Sequence, residues 1–176
     1  MTMTTAVFNL MFDKLIGAEG GFQNDPDDRG NWTSGIIGKG ECKGTKYGVS
    51  AMAYPDLDIK NLTIEQAKKI FYNDYWSKVK ADNLPDALSI MVSDTAYNSG
   101  CRTAIKLLQK SLGVTVDGKI GNTTIGAANR LPVKKTLADY AVFRLQFLNG
   151  CKGWSKYGKG WSRRVCEMEK LAEEYL

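Results

Sequence analysis

Hydrophobic residues recur along most of the chain at the three- and four-residue spacing of an amphipathic helix. The N-terminal segment has such a stripe, and its helix is predicted to stop before Gly20-Gly21. Thr63 and Gln66 have the spacing of a capping box, which predicts the start of a second helix. Pro85 suits the first turn of a third helix. Further helices are predicted over residues 101–112, 122–130, 133–149 and 161–175.

A different pattern runs from about residue 23 to residue 60, where glycines interrupt every possible helix. This stretch is predicted to be a loop region with a short hairpin. The predicted fold class is therefore mainly α, with one glycine-rich lobe. Because no proline- or serine-rich linker separates the halves, residues 1–176 are predicted to form a single compact domain. Two lobes are predicted within it: one over residues 1–80 and a helical one over residues 81–176.

Composition and charge narrow the chemistry. With 43% hydrophobic residues, the 176-residue chain can bury a core, and no apolar stretch approaches the length needed to span a bilayer. The chain has no histidine, which removes Ser-His-Asp and Cys-His catalysis and the common catalytic zinc sites. Hydrolysis would therefore depend on carboxylates. Residues 1–100 carry 10 basic and 13 acidic side chains and residues 101–176 carry 14 and 6, so the second half is the one suited to a polyanion.

The four cysteines form no C-x-x-C pair, so no metal site is predicted. The N-terminus has no basic start and no small-residue cleavage site after an apolar run, so no secretory signal is identified. The thiols are accordingly expected to be reduced.

Glu19 is the leading candidate for acid catalysis. It continues the apolar stripe of the first helix through Phe12 and Leu15, which would place its carboxyl group where the packing surface ends. Desolvation and the negative end of the helix dipole both favour a protonated carboxyl group there. Acid-catalysed cleavage of a glycosidic bond requires such a group, because the leaving oxygen must receive a proton. The alternative is a solvated glutamate at a fraying helix end.

A second, ionised carboxylate is expected in residues 23–30, which contain Asp25, Asp27 and Asp28 beside Arg29. One of them could orient or deprotonate a water across the sugar from Glu19. The alternative is a turn in which these side chains bond their own backbone, and Asp25 before Pro26 suits that alternative. The residues alone leave the choice among the three aspartates open.

Three motifs occur in order in the first half: EGGF (residues 19–22), NDPDDRG (24–30) and TKYGVS (45–50). Together they resemble the pattern of glycoside hydrolase family 108, lysozyme-like N-acetylmuramidases of phages and bacteria that cut peptidoglycan. The resemblance implies a lysozyme-like α+β fold with Glu19 as the catalytic acid. It also implies that Asp28 and Thr45 position the attacking water, and that Phe22 and Tyr47 contact the substrate.

The chain departs from the family pattern between the aspartate and the threonine. The family usually reaches its threonine within a few residues, whereas residues 31–44 (NWTSGIIGKGECKG) intervene here. Asn31 also replaces the second glycine of a Gly-Gly pair. Thr33 is therefore a second candidate for the role of Thr45.

The second half resembles the peptidoglycan-binding region that accompanies this family, through the motifs DTAYNSG (94–100), AIKLLQKSLG (104–113), DGKIGNTT (117–124) and GWSRR (160–164). The resemblance implies substrate contacts for Asn98 and Trp161. Residues 150–164 also combine five basic side chains with two tryptophans and a tyrosine, which suits stacking on sugars or bases and attraction to an anionic polymer. The alternative is a solvated basic loop with Trp161 anchored in the core.

The sequence therefore predicts a peptidoglycan hydrolase with lysozyme activity, cleaving the β-1,4 bond between N-acetylmuramic acid and N-acetylglucosamine. No cofactor or metal is predicted, and the expected partner is bacterial peptidoglycan, without nucleic acid or membrane insertion, for a monomeric protein. The resemblance points to a phage endolysin, held in the host cytoplasm before release to the periplasm and cell wall. The alternatives are a lytic transglycosylase acting on the same bond, or a non-catalytic cell-wall-binding or nucleic-acid-binding module.

Overall fold

The computed structural model describes residues 6–16 and 21–176. Within these ranges the chain forms seven α-helices and a two-stranded antiparallel sheet, so the predicted mainly α fold is confirmed. In chain order the elements are α1 (Ala6–Ile16), β1 (Thr45–Lys46), β2 (Val49–Ser50), α2 (Ile64–Phe71), α3 (Asp86–Ser99), α4 (Cys101–Leu112), α5 (Asn122–Arg130), α6 (Val133–Asn149) and α7 (Trp154–Glu173). No helix in the described residues combines the length and apolar character that crossing a membrane requires.

Local signals in the sequence placed most helix boundaries correctly. The bounds of α4, α5 and α6 are those predicted. The capping box at α2 is present: the Thr63 hydroxyl accepts from the backbone N–H of Gln66 at 3.2 Å, and the Gln66 side chain accepts from the Thr63 N–H at 2.8 Å. Pro85 is the residue preceding α3. The predicted stop of α1 before Gly20-Gly21 lies partly outside the described residues.

The predicted start of the last helix at residue 161 was wrong, because α7 begins at Trp154. Gly158 and Gly160 weaken helix propensity over this stretch. Gly158 is nevertheless buried, and a Cβ atom there would lie 2.7 Å from the Trp154 indole. The indole packs against the bare backbone at this glycine, and this contact between residues four apart on one helix offsets part of the propensity cost. The basic and aromatic residues 154–164 are thus helical rather than a solvated loop.

The chain divides into two compact units. The helical unit comprises Asn73–Leu176 with the described residues 6–11, and the loop unit comprises the described part of Phe12–Tyr72. The predicted lobe boundary after residue 80, and the single compact domain, stay predictions.

The core of the helical unit is built around α3. Ten of its fourteen residues are buried, and it packs against α4, α6 and α7. A helix buried on all sides needs apolar or paired side chains all round, which is why Ser89, Ser93 and Thr95 bond to backbone carbonyls in this unit. Close by, the indole N–H of Trp76 donates to Asp82 at 2.8 Å.

The core of the loop unit is smaller. The rings of Phe12 and Phe71 lie 6.1 Å apart, and Val49, Ile59 and Leu62 are buried. The remaining stability of this unit must come from turns and hydrogen bonds, since regular elements in it are short. The predicted aspartates, Asp25, Asp27 and Asp28, lie in this loop unit.

Candidate active site

Residues 31–44, which separate Asp28 from Thr45, fold as a closed hairpin. Its ends meet where the N–H of Gly44 donates to the Asn31 carbonyl at 3.1 Å. Trp32 pairs with Cys42, and the N–H of Thr33 donates to the Glu41 carbonyl at 2.9 Å. The chain therefore leaves and returns at one point, so the insertion lengthens the sequence without moving Thr45 away from Asn31.

Gly44 makes this return possible. Its φ of +85° lies in the left-handed region, and a Cβ there would lie 2.5 Å from the carbonyl oxygen of Gln23. Directly after it, Thr45 pairs with Gln23 through backbone hydrogen bonds of 2.7 and 2.9 Å. The next turn, Tyr47-Gly48, has φ values of 51° and 71°, as a type I′ turn between β1 and β2 requires.

A hydrogen-bond network connects Asp28 to Thr45. The Asp28 carboxylate accepts from the Gly30 N–H at 2.9 Å and from the Gln23 side chain at 3.3 Å. Gln23 and Asn31 exchange hydrogen bonds through their amides, at 2.9 and 3.2 Å. The Thr45 hydroxyl donates to the Asn31 side-chain oxygen at 2.8 Å. The structure thus brings two of the three predicted catalytic residues into one connected network.

The orientation of the Asn31 amide, and with it the direction of the Thr45–Asn31 hydrogen bond, follows from a single backbone acceptor. Asn31 is fully buried, and its Nδ2 donates to the Asp25 carbonyl at 2.9 Å. A carbonyl oxygen can only accept, so the amide nitrogen must face it and the Asn31 oxygen must face Thr45. The hydroxyl proton of Thr45 is therefore engaged in the hydrogen bond to Asn31. Its oxygen lone pairs are left to accept a hydrogen bond from a water or a substrate hydroxyl.

Asn31 and Gln23 are members of this network that the sequence did not predict. In the sequence Asn31 stands out only as a replacement for glycine, and no spacing rule connects it to Thr45. A polar residue with no exposed surface in a glycine-rich loop needs hydrogen-bond partners, but their identity depends on how the hairpin closes.

Thr33, the rival to Thr45, is placed on the hairpin. Its hydroxyl accepts from the Glu41 N–H at 3.1 Å, across from the backbone pairing of the same two residues. Asp25 likewise serves its own turn, accepting from the Asp27 N–H at 3.0 Å. Among the described side chains, Asp28 and Thr45 are therefore the predicted candidates joined by the network.

Glu19 lies outside the described residues, so its predicted position stays a prediction. Phe22, three residues further on, is 36% exposed and lines a cavity of about 450 Å³ in the loop unit. Lys43, Asp56 and Asp58 line the same cavity. A hydrogen bond from the Asn61 side chain, 2.8 Å long, lowers the pKa of Asp58 below its ordinary value of 3.8. This ionised carboxylate beside Phe22 was not predicted.

Tyr47 is half-buried in the β-turn, and the Lys46 ammonium lies 5.3 Å from its ring centroid. In the described ranges, no cluster of three or more Cys, Asp or Glu side chains is arranged to hold a metal ion.

Asn98 and Trp161, the predicted substrate contacts in the helical unit, come together at a second cavity of about 260 Å³. Arg144 and Arg164 also line it. On α7, the ring centroid of Trp161 lies 5.9 Å from that of Tyr157 and 6.4 Å from that of Trp154. The three aromatic residues predicted here therefore form one cluster. Tyr157 is 51% exposed.

The mainly helical fold with its short two-stranded sheet is that of the lysozyme-like class. The chain belongs to the glycosyl hydrolase 108 family, whose sequence profile matches residues 12–100. The structure is similar to that titled "Structure of Brucella abortus SagA", with a TM-score of 0.79 and 29% sequence identity, covering 98% of this chain and 97% of that chain. No curated protein sequence matches the chain. Family and fold support a peptidoglycan hydrolase.

Proposed function

We propose that the protein is an N-acetylmuramidase that hydrolyses the β-1,4 bond between N-acetylmuramic acid and N-acetylglucosamine. The observation that carries this proposal is the network from Asp28 through Gln23 and Asn31 to Thr45. It holds a carboxylate and a hydroxyl acceptor in one hydrogen-bonded loop. Two such acceptors suit the positioning of a water for attack on an anomeric carbon.

In this mechanism Glu19 donates its proton to the leaving glycosidic oxygen. Asp28 accepts a proton from the attacking water, and the Thr45 lone pairs accept the other hydrogen of the water and fix its direction. The cavity beside Phe22 has the volume for a sugar residue, and the ring of Phe22 offers a face for stacking.

The test is the loss of turbidity of purified cell walls on addition of the protein. Glu19→Gln keeps the shape of the side chain and removes the proton, so lysis should fall by at least roughly 100-fold. Glu41→Gln is the matched control, because Glu41 is an exposed glutamate of the hairpin and should retain full lysis. A folded Glu19→Gln variant that lyses walls as fast as wild type would contradict the proposal.

Mass spectrometry of the released fragments separates hydrolysis from the alternatives. Reducing muramic acid ends support the muramidase. Anhydro-muramyl ends would instead establish a lytic transglycosylase, which needs no positioned water. Sedimentation with walls without release of sugar would establish a wall-binding module, and salt-sensitive retention on DNA a nucleic-acid-binding one.

We further propose that the protein acts as a phage endolysin that is held in the host cytoplasm before release. All four cysteines are unpaired thiols, which suits a reducing compartment. Fractionation of infected cells before and after lysis onset tests this, and recovery in the periplasm well before lysis would contradict it.

A further inference from the structure

The cavity in the helical unit has a charged end that no part of the proposed hydrolysis uses. Asp94 of α3 is fully buried and faces two guanidinium groups. Arg164 of α7 donates to one carboxylate oxygen through Nε at 3.0 Å and Nη2 at 2.7 Å. Nη2 of Arg144, from α6, lies 2.6 Å from the other oxygen. One carboxylate against two guanidinium groups leaves one positive charge without a counterion in this cluster.

Arg144 is the unsatisfied member of the cluster. It is 2% exposed, and its Nε and Nη1 atoms are buried without a hydrogen-bond partner among the described residues. A buried, charged donor without an acceptor is strongly unfavourable, so native proteins almost always supply one. Arg144 lines the cavity, so an acceptor that enters the cavity could satisfy it.

The shape of the cavity limits what that acceptor can belong to. Its volume of about 260 Å³ corresponds to about nine waters at ~30 Å³ each. Arg144, Arg164 and Asn98 supply polar groups, and Phe147, Leu148 and Trp161 supply apolar wall. A C-terminal amino acid with a small apolar side chain fits this volume, and it would place its carboxylate on the polar part of the lining and its side chain on the apolar part. A disaccharide of two amino sugars is too large.

We propose that this cavity binds the terminal carboxylate of a peptide stem of peptidoglycan, with Arg144 and Arg164 as the groups that recognise it. The proposal rests on the proposed function, because peptidoglycan is what presents such stems to the protein. Guanidinium groups match the planar carboxylate, and the net charge of the cluster becomes zero when it binds. A small side chain next to the carboxylate would lie against Phe147 and Leu148.

The first experiment uses the wild-type protein and two probes, N-acetyl-D-alanyl-D-alanine and its C-terminal amide. Calorimetric titration should give saturable binding of the acid and about tenfold weaker binding of the amide, because hydrogen bonds between charged groups are roughly twice as strong as neutral ones. Inorganic phosphate at equal ionic strength should bind more weakly than the acid. Equal binding of acid and amide, or of acid and phosphate, would overturn the proposal.

The location of the bound probe is read from thiol modification. Cys151 lines the cavity, whereas Cys166 of α7 is exposed and does not line it. With maleimide labelling mapped by mass spectrometry, the acid should slow modification at Cys151 and leave Cys166 unaffected. Unchanged labelling at Cys151 under saturating acid would place the binding elsewhere.

The variants are Arg164→Gln and, as a matched control, Arg163→Gln. Both remove one positive charge from α7, but Arg163 is exposed and does not line the cavity. Arg164→Gln should weaken acid binding about tenfold without affecting amide binding, and Arg163→Gln should bind both as wild type does. Equal effects of the two substitutions would overturn the proposal.

The outcomes also separate this site from the proposed hydrolysis. If Glu19→Gln abolishes lysis but no acid-specific binding is found, the carboxylate site fails and the muramidase stands. If acid-specific binding is found but lysis does not depend on Glu19, the muramidase fails and the site stands.

Discussion

Substituting Asn31 by alanine tests whether one buried amide holds together the loop that carries Asp28 and Thr45. The Asn31 side chain makes four hydrogen bonds, at 2.8, 2.9, 2.9 and 3.2 Å, to Thr45, Gln23 and the Asp25 carbonyl. Removing the Asn31 amide leaves its hydrogen-bond partners at the closing point of the hairpin without a polar side chain between them. We expect both the free energy of unfolding and the rate of hydrolysis to fall.

The size of the effect follows from the partners. Each hydrogen bond contributes about 1 kcal/mol net, which sets an upper limit of about 4 kcal/mol. Gln23 is exposed and can turn to water, so part of the loss is recovered. The expected loss of unfolding free energy is about 2–3 kcal/mol. Displacement of Thr45 should lower kcat by roughly 10- to 100-fold.

Urea unfolding followed by tryptophan fluorescence measures the stability loss, and turbidity assays on purified walls measure the rate. Thr33→Ala is the control, because the Thr33 hydroxyl accepts one hydrogen bond within the hairpin, from the Glu41 N–H. Its loss should cost no more than about 1 kcal/mol and leave kcat unchanged. Equal losses in the two variants would refute the reasoning that Asn31 connects hairpin closure to Thr45, the proposed catalytic threonine.

Three further substitutions test the surrounding structure. Gly44→Ala should destabilise the protein by roughly 1–3 kcal/mol more than Gly38→Ala, as measured by thermal melts. Both glycines have positive φ, but only at Gly44 would a new Cβ lie 2.5 Å from a carbonyl oxygen. Asp94→Asn should cost about 3–5 kcal/mol in urea, since it removes the charge shared by two guanidinium groups. Asp139→Asn should cost at most about 1 kcal/mol, because Asp139 is only half-buried and pairs with an exposed lysine. Hydrogen bonds from the Lys119 N–H and the Gln109 side chain lower the pKa of Asp117 below 3.8, so Asp117→Asn should lose stability relative to wild type at neutral pH. That difference should disappear as the pH falls through the lowered pKa, and a difference that persists in acid would exclude the charge as its cause.

The sequence by itself determined the features that depend on neighbours in the chain. The bounds of α4, α5 and α6 follow from the spacing of apolar residues, and the start of α2 follows from Thr63 and Gln66, because helix periodicity and capping act over three or four residues. Motif order led to the family, which the match over residues 12–100 confirms.

The tertiary structure alone decided the features that join distant residues. Arg144 lies on the buried stripe of α6 with Leu137, Tyr140 and Leu148, and this spacing is visible in the sequence. Its partner Asp94, however, lies fifty residues earlier in the chain. Thr45 meets Asn31 only because a fourteen-residue hairpin closes on itself. Such contacts depend on which long-range closures bury the most surface and satisfy the most polar groups, and no local pattern records that choice.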